Sequence, residues 1–146
     1  EMDLPPGSFD VVVCRRALHH MEIPRVLPII HTVLPPGGLF VAEEPVCLHP
    51  LLRWVHERFP FYGDAPHTAD EKELTPHDLD LIRQTFRSTK LYHFDFLARE
   101  SVAHVLNARG WRRLLYLLGK TDYHLVNRVL PPLRRFCNYV VVHATK

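Results

Sequence analysis

The chain has 146 residues, is 47% hydrophobic and carries 18 Lys and Arg against 16 Asp and Glu. That is enough apolar material for one ordinary core. No apolar run approaches the roughly 18 residues of a membrane span, and no basic-then-apolar leader opens the sequence, so no secretory signal is predicted. Cys14, Cys47 and Cys137 are scattered without CxxC spacing. That pattern predicts reduced thiols in a cytoplasmic setting, not a disulfide framework.

In chain order, residues 3–8 (Asp-Leu-Pro-Pro-Gly-Ser) form a turn-rich lead-in. Residues 9–14 (Phe-Asp-Val-Val-Val-Cys) are continuously apolar after Asp10, as in a parallel-sheet strand buried on both faces. A helix follows. Pro24 suits its first turn, and Ile23, Val26, Leu27, Ile30 and Leu34 recur at helical spacing. Pro28 should kink it, and residues 35–38 (Pro-Pro-Gly-Gly) should stop it. Residues 39–42 read as a second short buried strand, which completes a right-handed βαβ unit.

Beyond Pro45, Leu51, Leu52, Val55 and Phe59 mark one face of a short helix ending at Pro60. Residues 61–73 have no period and predict a loop of the kind that often serves as a lid. Thr75-Pro76-His77-Asp78 is a helix start, with Thr75 able to cap and Asp78 able to return a bond. Leu79, Ile82 and Phe86 supply that helix's apolar face. Residues 91–96 alternate like a half-exposed strand. Three short helices are expected at 101–107, 111–118 and 122–130, broken at Gly110, Gly119 and Pro131-Pro132. Residues 136–143 form the natural last strand.

Charge is unevenly spread: residues 101–146 hold eight Lys and Arg against one acid, Asp122. Such a segment could face nucleic acid, anionic lipid or an acidic partner. No nucleic-acid-binding motif accompanies it. It therefore reads as a solvated helical surface, or as a face complementary to another part of the domain, and no nucleic-acid partner is expected.

In open α/β sheets, ligands bind beyond the carboxyl ends of the strands. Residues 14–20 follow the first strand and Glu43-Glu44 follow the second, so both groups should look into one crevice. The eleven histidines form no HExxH, and His67 with Asp64, Asp70 and Glu71 lacks a Cys/His ligand pattern. No metal is expected. There is no GxSxG, no P-loop, and the six glycines never form GxG.

The order FDVVVC, Ala17-Leu18-His19-His20, helix, Leu34-Pro35-Pro36-Gly37-Gly38, strand, Glu44-Pro45 resembles the second half of a class I S-adenosylmethionine-dependent methyltransferase domain. The resemblance is specific over residues 9–45 and fainter over the rest. It implies an α/β fold: a partial Rossmann-like sheet (strands 4 to 7) with helices on its faces and the last strand antiparallel. Residues 1–146 would be the carboxyl-terminal part of a single domain, without the glycine-rich cofactor loop. The implied activity is methyl transfer from S-adenosyl-L-methionine to a small, hydrophobic acceptor, with the fragment inactive alone. The alternative is a non-catalytic remnant or interaction module of the same fold.

By the same resemblance, Cys14, Arg15, Leu18 and His19 line the cofactor, and Asp3 (or Glu1) stands near the adenine. His20 is the catalytic base, and Glu44 meets the substrate or caps a helix. Ile29, Thr32 and Pro35 depart from the family's usual Glu, Arg and Lys, which loosens the subfamily and not the fold. With its first-half neighbour missing, the strand at 9–14 would be an open edge, and the isolated chain should self-associate.

Overall fold

The computed structural model describes residues 4–58, 72–96 and 112–146. Four strands, β1 (Val11–Arg15), β2 (Leu39–Pro45), β3 (Ser88–Phe94) and β4 (Tyr139–Thr145), form one sheet in the order β1-β2-β4-β3. β1 is parallel to β2, with Val11 beside Leu39. β4 runs antiparallel to both β2 and β3. Three strands thus point one way and the last runs back between two of them, which is the mixed sheet with a reversed final strand that the sequence predicts.

One face of this sheet carries the core. β2 turns Phe40, Ala42 and Glu44 inward and β4 turns Val140, Val142 and Ala144 inward. Two helices, α1 (Ile23–Val33) and α3 (Pro76–Thr85), cover that face. α1 buries Ile23, Leu27, Ile30 and Val33, one stripe at helical spacing, and it continues through Pro28. α3 begins with the predicted capping box: Asp78 N–H donates to Thr75 Oγ1, and Thr75 N–H donates to the Asp78 carboxylate. Its buried Leu79 and Ile82 lead to Phe86, whose ring stacks on Phe40 at 5.3 Å.

The turn after α1 is forced by backbone geometry. Gly37 has φ +82°, and a Cβ on Gly38 would meet Pro35 at 2.9 Å. Lys146 closes the same end, its Nζ donating to the carbonyls of His31 and Leu34. This places a cation on the exposed carbonyls of a helix terminus.

Several boundaries differ from expectation. β1 lies at an edge of the sheet and is covered on one face only: Val12 and Cys14 pack on the core, while Val11 and Val13 are 49% and 67% exposed. β2 runs on to Pro45, because the ladder with β4 continues to Pro45 beside Tyr139, so Glu43 and Glu44 lie within the strand. β3 starts at Ser88 and β4 at Tyr139.

Gly119 does not break its helix. α4 (Arg112–His124) passes through it and continues as a π-helical turn, Leu125–Val129. One interior glycine costs about 1 kcal/mol, which burial of Leu115, Asp122 and Val126 on one side of the element offsets. α4 lies against β3 on the face opposite the core, with the Tyr123 ring stacked on Phe94 at 5.3 Å. The short helix α2 (Pro50–Arg58) is present. Most of the loop expected at 61–73, and the helix expected at 101–107, fall outside the described residues.

Candidate functional site

The carboxyl ends of β1 and β2 meet at Glu44. The chain leaves β1 at Arg16, whose φ of +49° turns it away from the sheet, and winds into a 3-10 turn, Leu18–His20. Such a turn start leaves backbone N–H groups without partners. Glu44 supplies them from the neighbouring strand. Its Oε1 accepts from Ala17 N–H and Leu18 N–H, each at 2.9 Å, and its Oε2 accepts from His19 N–H at 3.4 Å. Oε2 also lies 2.8 Å from His19 Nδ1.

Glu44 is completely buried, and the bonds it makes are to residues 17–19. The turn it caps precedes it, where the sequence suggested a cap on the helix that follows. Its effect on His19 is chemical as well as structural. An ionised Glu44 keeps the proton on His19 Nδ1, leaving Nε2 of the neutral ring as an acceptor.

The His19 and His20 rings pack against each other, tilted by 40°, with centroids 4.1 Å apart. Both line a cavity of about 650 Å³ with Leu18, Met21, Ile23, Lys72, Leu74 and Asp78. His19 is mostly enclosed and His20 is exposed. Lys72 N–H donates to the His19 carbonyl, and Leu74 bridges to Val46, which brings the lead-in to α3 against the turn.

The other expected cofactor residues divide. Cys14 is half-buried beneath the turn, and burial, then the nearby Glu44, pushes its thiol above the usual range. Leu18 is a core residue that also reaches the cavity wall. Arg15 points outward on the open face of β1 and pairs with Glu43 at 3.3 Å. Asp3 and Glu1 lie outside the described residues. No group of three or more His, Cys, Asp or Glu able to hold a metal ion occurs among the described residues.

Sequence reasoning missed a second polar cluster on the same edge of the sheet, across β4. Asp122, buried on α4, accepts from Asp95 N–H at 2.8 Å and Phe96 N–H at 3.2 Å, and so ends β3. Asn138 donates to Asp95, and the Arg16 guanidinium lies over the Tyr139 ring at 4.9 Å. Burial and the two aspartates push the Cys137 thiol up to about 12. The sequence signals for this were Arg16, next to the motif at 17–20, and Asp122 as the one acid of residues 101–146.

Residues 1–42 match a family model described as a methyltransferase domain. No curated protein sequence matches the chain. Solved structures do. One is the (4+2)-cyclase SpnF, at 15% identity and TM-score 0.52, covering 100% of this chain and 52% of that one. Another is a methyltransferase of Thermotoga maritima described as a possible histamine N-methyltransferase, at 14% and 0.54, covering 100% and 60%. A third is geranyl diphosphate C-methyltransferase from Streptomyces coelicolor, at 8% and 0.56, covering 99% and 49%. The chain spans 49–60% of the length of these structures.

Proposed function

From a chain that carries the fold of the class I S-adenosylmethionine-dependent methyltransferases, we propose that it forms the carboxyl-terminal part of one such domain and supplies its acceptor-side chemistry. The observation that carries this reading is the Glu44–His19 pair at the carboxyl ends of β1 and β2, opening on a cavity. Ligands of open α/β sheets sit at that place. The cavity wall suits a small amphipathic acceptor, being apolar at Leu18, Met21, Ile23 and Leu74 and polar at His19, His20, Lys72 and Asp78.

When bound, S-adenosylmethionine supplies an electrophilic methyl group on a sulfonium. Cys14, Leu18 and the backbone of the 16–20 turn would hold its methionine end. The residues of this chain do the rest. The cavity wall orients the acceptor, and much of the rate comes from that alignment. His19 Nε2 takes the proton that an O–H or N–H acceptor loses as its bond to the methyl carbon forms. Glu44 fixes the tautomer and steadies the imidazolium. The geometry favours His19 for the base, since its Nδ1 lies 2.8 Å from the buried Glu44 carboxylate and its ring is mostly enclosed.

A second reading, a non-catalytic interaction module of the same fold, is favoured by the open edge of β1. The three free cysteines suit a reducing, cytoplasmic setting. The test is label transfer from methyl-labelled S-adenosylmethionine to a panel of amphipathic phenols and amines. The enzyme is the polypeptide with the preceding strands of the domain joined to Glu1. Label in the acceptor supports the reading. Failure of every acceptor, together with no calorimetric binding of S-adenosylhomocysteine, overturns it for the non-catalytic module.

A further inference from the structure

The last third of the chain concentrates positive charge, and the structure shows where it goes. Around α4 the inward side carries Leu115 and Asp122, with Val126 following; Arg113, Leu117 and Lys120 lie opposite, flanked by the exposed Leu114 on one side and Tyr116 on the other. Tyr116 is 66% exposed, and Leu114 and Leu117 are 40% and 49% exposed. Val129 and Leu130 extend the apolar surface beside the exposed Arg128. The only acid in residues 112–146, Asp122, is turned inward to bond β3. Arg113, Lys120 and Arg128 form no ion pair among the described residues.

We propose that this face of α4 and the turn after it docks on an anionic lipid surface. A solvated helix face has no use for three large exposed apolar side chains spread over its outward half. A protein partner would be expected to find some acids with which to set register, and a nucleic acid would meet leucines where it needs donors. Cations interleaved with Leu and Tyr at helical spacing suit the boundary of a bilayer. There the apolar side chains enter the acyl edge while Lys and Arg remain among the phosphates. No helix of the described residues is long and apolar enough to cross a membrane. The contact is peripheral. α4 sits at the β3 side of the sheet, at the far end from the open β1 edge, so whatever pairs with β1 leaves this face clear.

The test is co-flotation of the chain with vesicles of phosphatidylcholine alone and of phosphatidylcholine with about one-third phosphatidylglycerol. Flotation with the anionic vesicles, at least tenfold weaker at high salt, is expected. Two variants probe the two components. Arg113→Glu with Lys120→Glu and Arg128→Glu, and Leu114→Ser with Leu117→Ser, should each reduce flotation tenfold or more. Far-ultraviolet circular dichroism confirms that both keep the parent fold. Equal flotation with neutral vesicles, none with either, or a preference for duplex DNA in a competition each overturns the proposal.

Discussion

Glu44 Oε2 lies 2.8 Å from His19 Nδ1, while the same carboxylate holds three backbone N–H groups of the turn that carries His19. One buried side chain thus fixes both a backbone path and a ring. Glu44→Ala leaves those donors buried without an acceptor. Each such loss costs roughly 1–3 kcal/mol, so the variant should lose about 3–5 kcal/mol, the range seen when one partner of a buried pair is removed. Glu44→Gln keeps the volume but presents an NH₂ where a donor already points, and it should lose about half as much. Urea unfolding of both variants checks this. A loss below 1 kcal/mol for Glu44→Ala would mean that water replaces the carboxylate.

The same geometry separates the two histidines. In the polypeptide with the preceding strands restored, His19→Ala should lower turnover by about 10²–10⁴-fold, the usual contribution of a positioned base, with cofactor affinity nearly unchanged. His20→Ala should lower turnover by much less, since His20 is exposed whereas His19 bonds the buried Glu44. Steady-state rates with saturating cofactor decide between them. A larger loss for His20 would return the base role to the second histidine of the motif.

How legible was this in the sequence? The βαβ core could be read because its signals are local. Valines mark β1, the 23–27–30 spacing marks α1, and Pro35–Gly38 stops it. The Thr75–Asp78 cap is likewise a contact across three residues. Glu44 as an acid at the end of a strand was also visible. Its role was not, since the three N–H groups it serves lie about 26 residues away and an acid before Pro reads equally as a substrate contact. Asp122 escaped for the same reason. Its partners just after β3 are distant in sequence, and it stood out only as the one acid of residues 101–146. The break expected at Gly119 failed because local propensity yielded to packing of α4 on β3.

His93 gives the fold a pH dependence. Its ring is buried on β3, Nδ1 has no partner among the described residues, and Asn127 holds its backbone on both sides. Burial, with Arg134 and then Arg83 nearby, lowers its pKa from 6.5 to about 4. In the unfolded chain the ring titrates near 6.5. The folded state therefore excludes a proton that the unfolded state binds. This contribution is whole above pH 6.5, declines as pH falls toward 4, and is flat below. A shift of that size amounts to at most about 3 kcal/mol. Urea midpoints at pH 7.5, 5.5 and 4.5 should fall in that order. His93→Phe should flatten the decline above pH 5, where few carboxylates titrate. An unchanged slope would place the dependence elsewhere.

The open edge of β1 makes the last prediction. Leu39 N–H donates to Asp10 O and Arg16 N–H to Glu43 O. This alternation turns the backbone of Val12 and Cys14 toward β2, and the N–H and C=O groups of Val11, Val13 and Arg15 outward. Such a row is a template for another strand, and Val13 beside it is 67% exposed. Two copies related by a two-fold axis at Val13 would pair antiparallel. Val11 then lies opposite Arg15 of the second copy, a register that uses the whole strand. Sedimentation velocity across a concentration series should show the chain dimerising. Val13→Lys puts a buried charge at the axis of that pair and should leave a monomer with unchanged folding stability, as natural edges use lysine to block pairing. A parent chain that stays a sharp monomer at the highest concentration would mean that the edge is already protected.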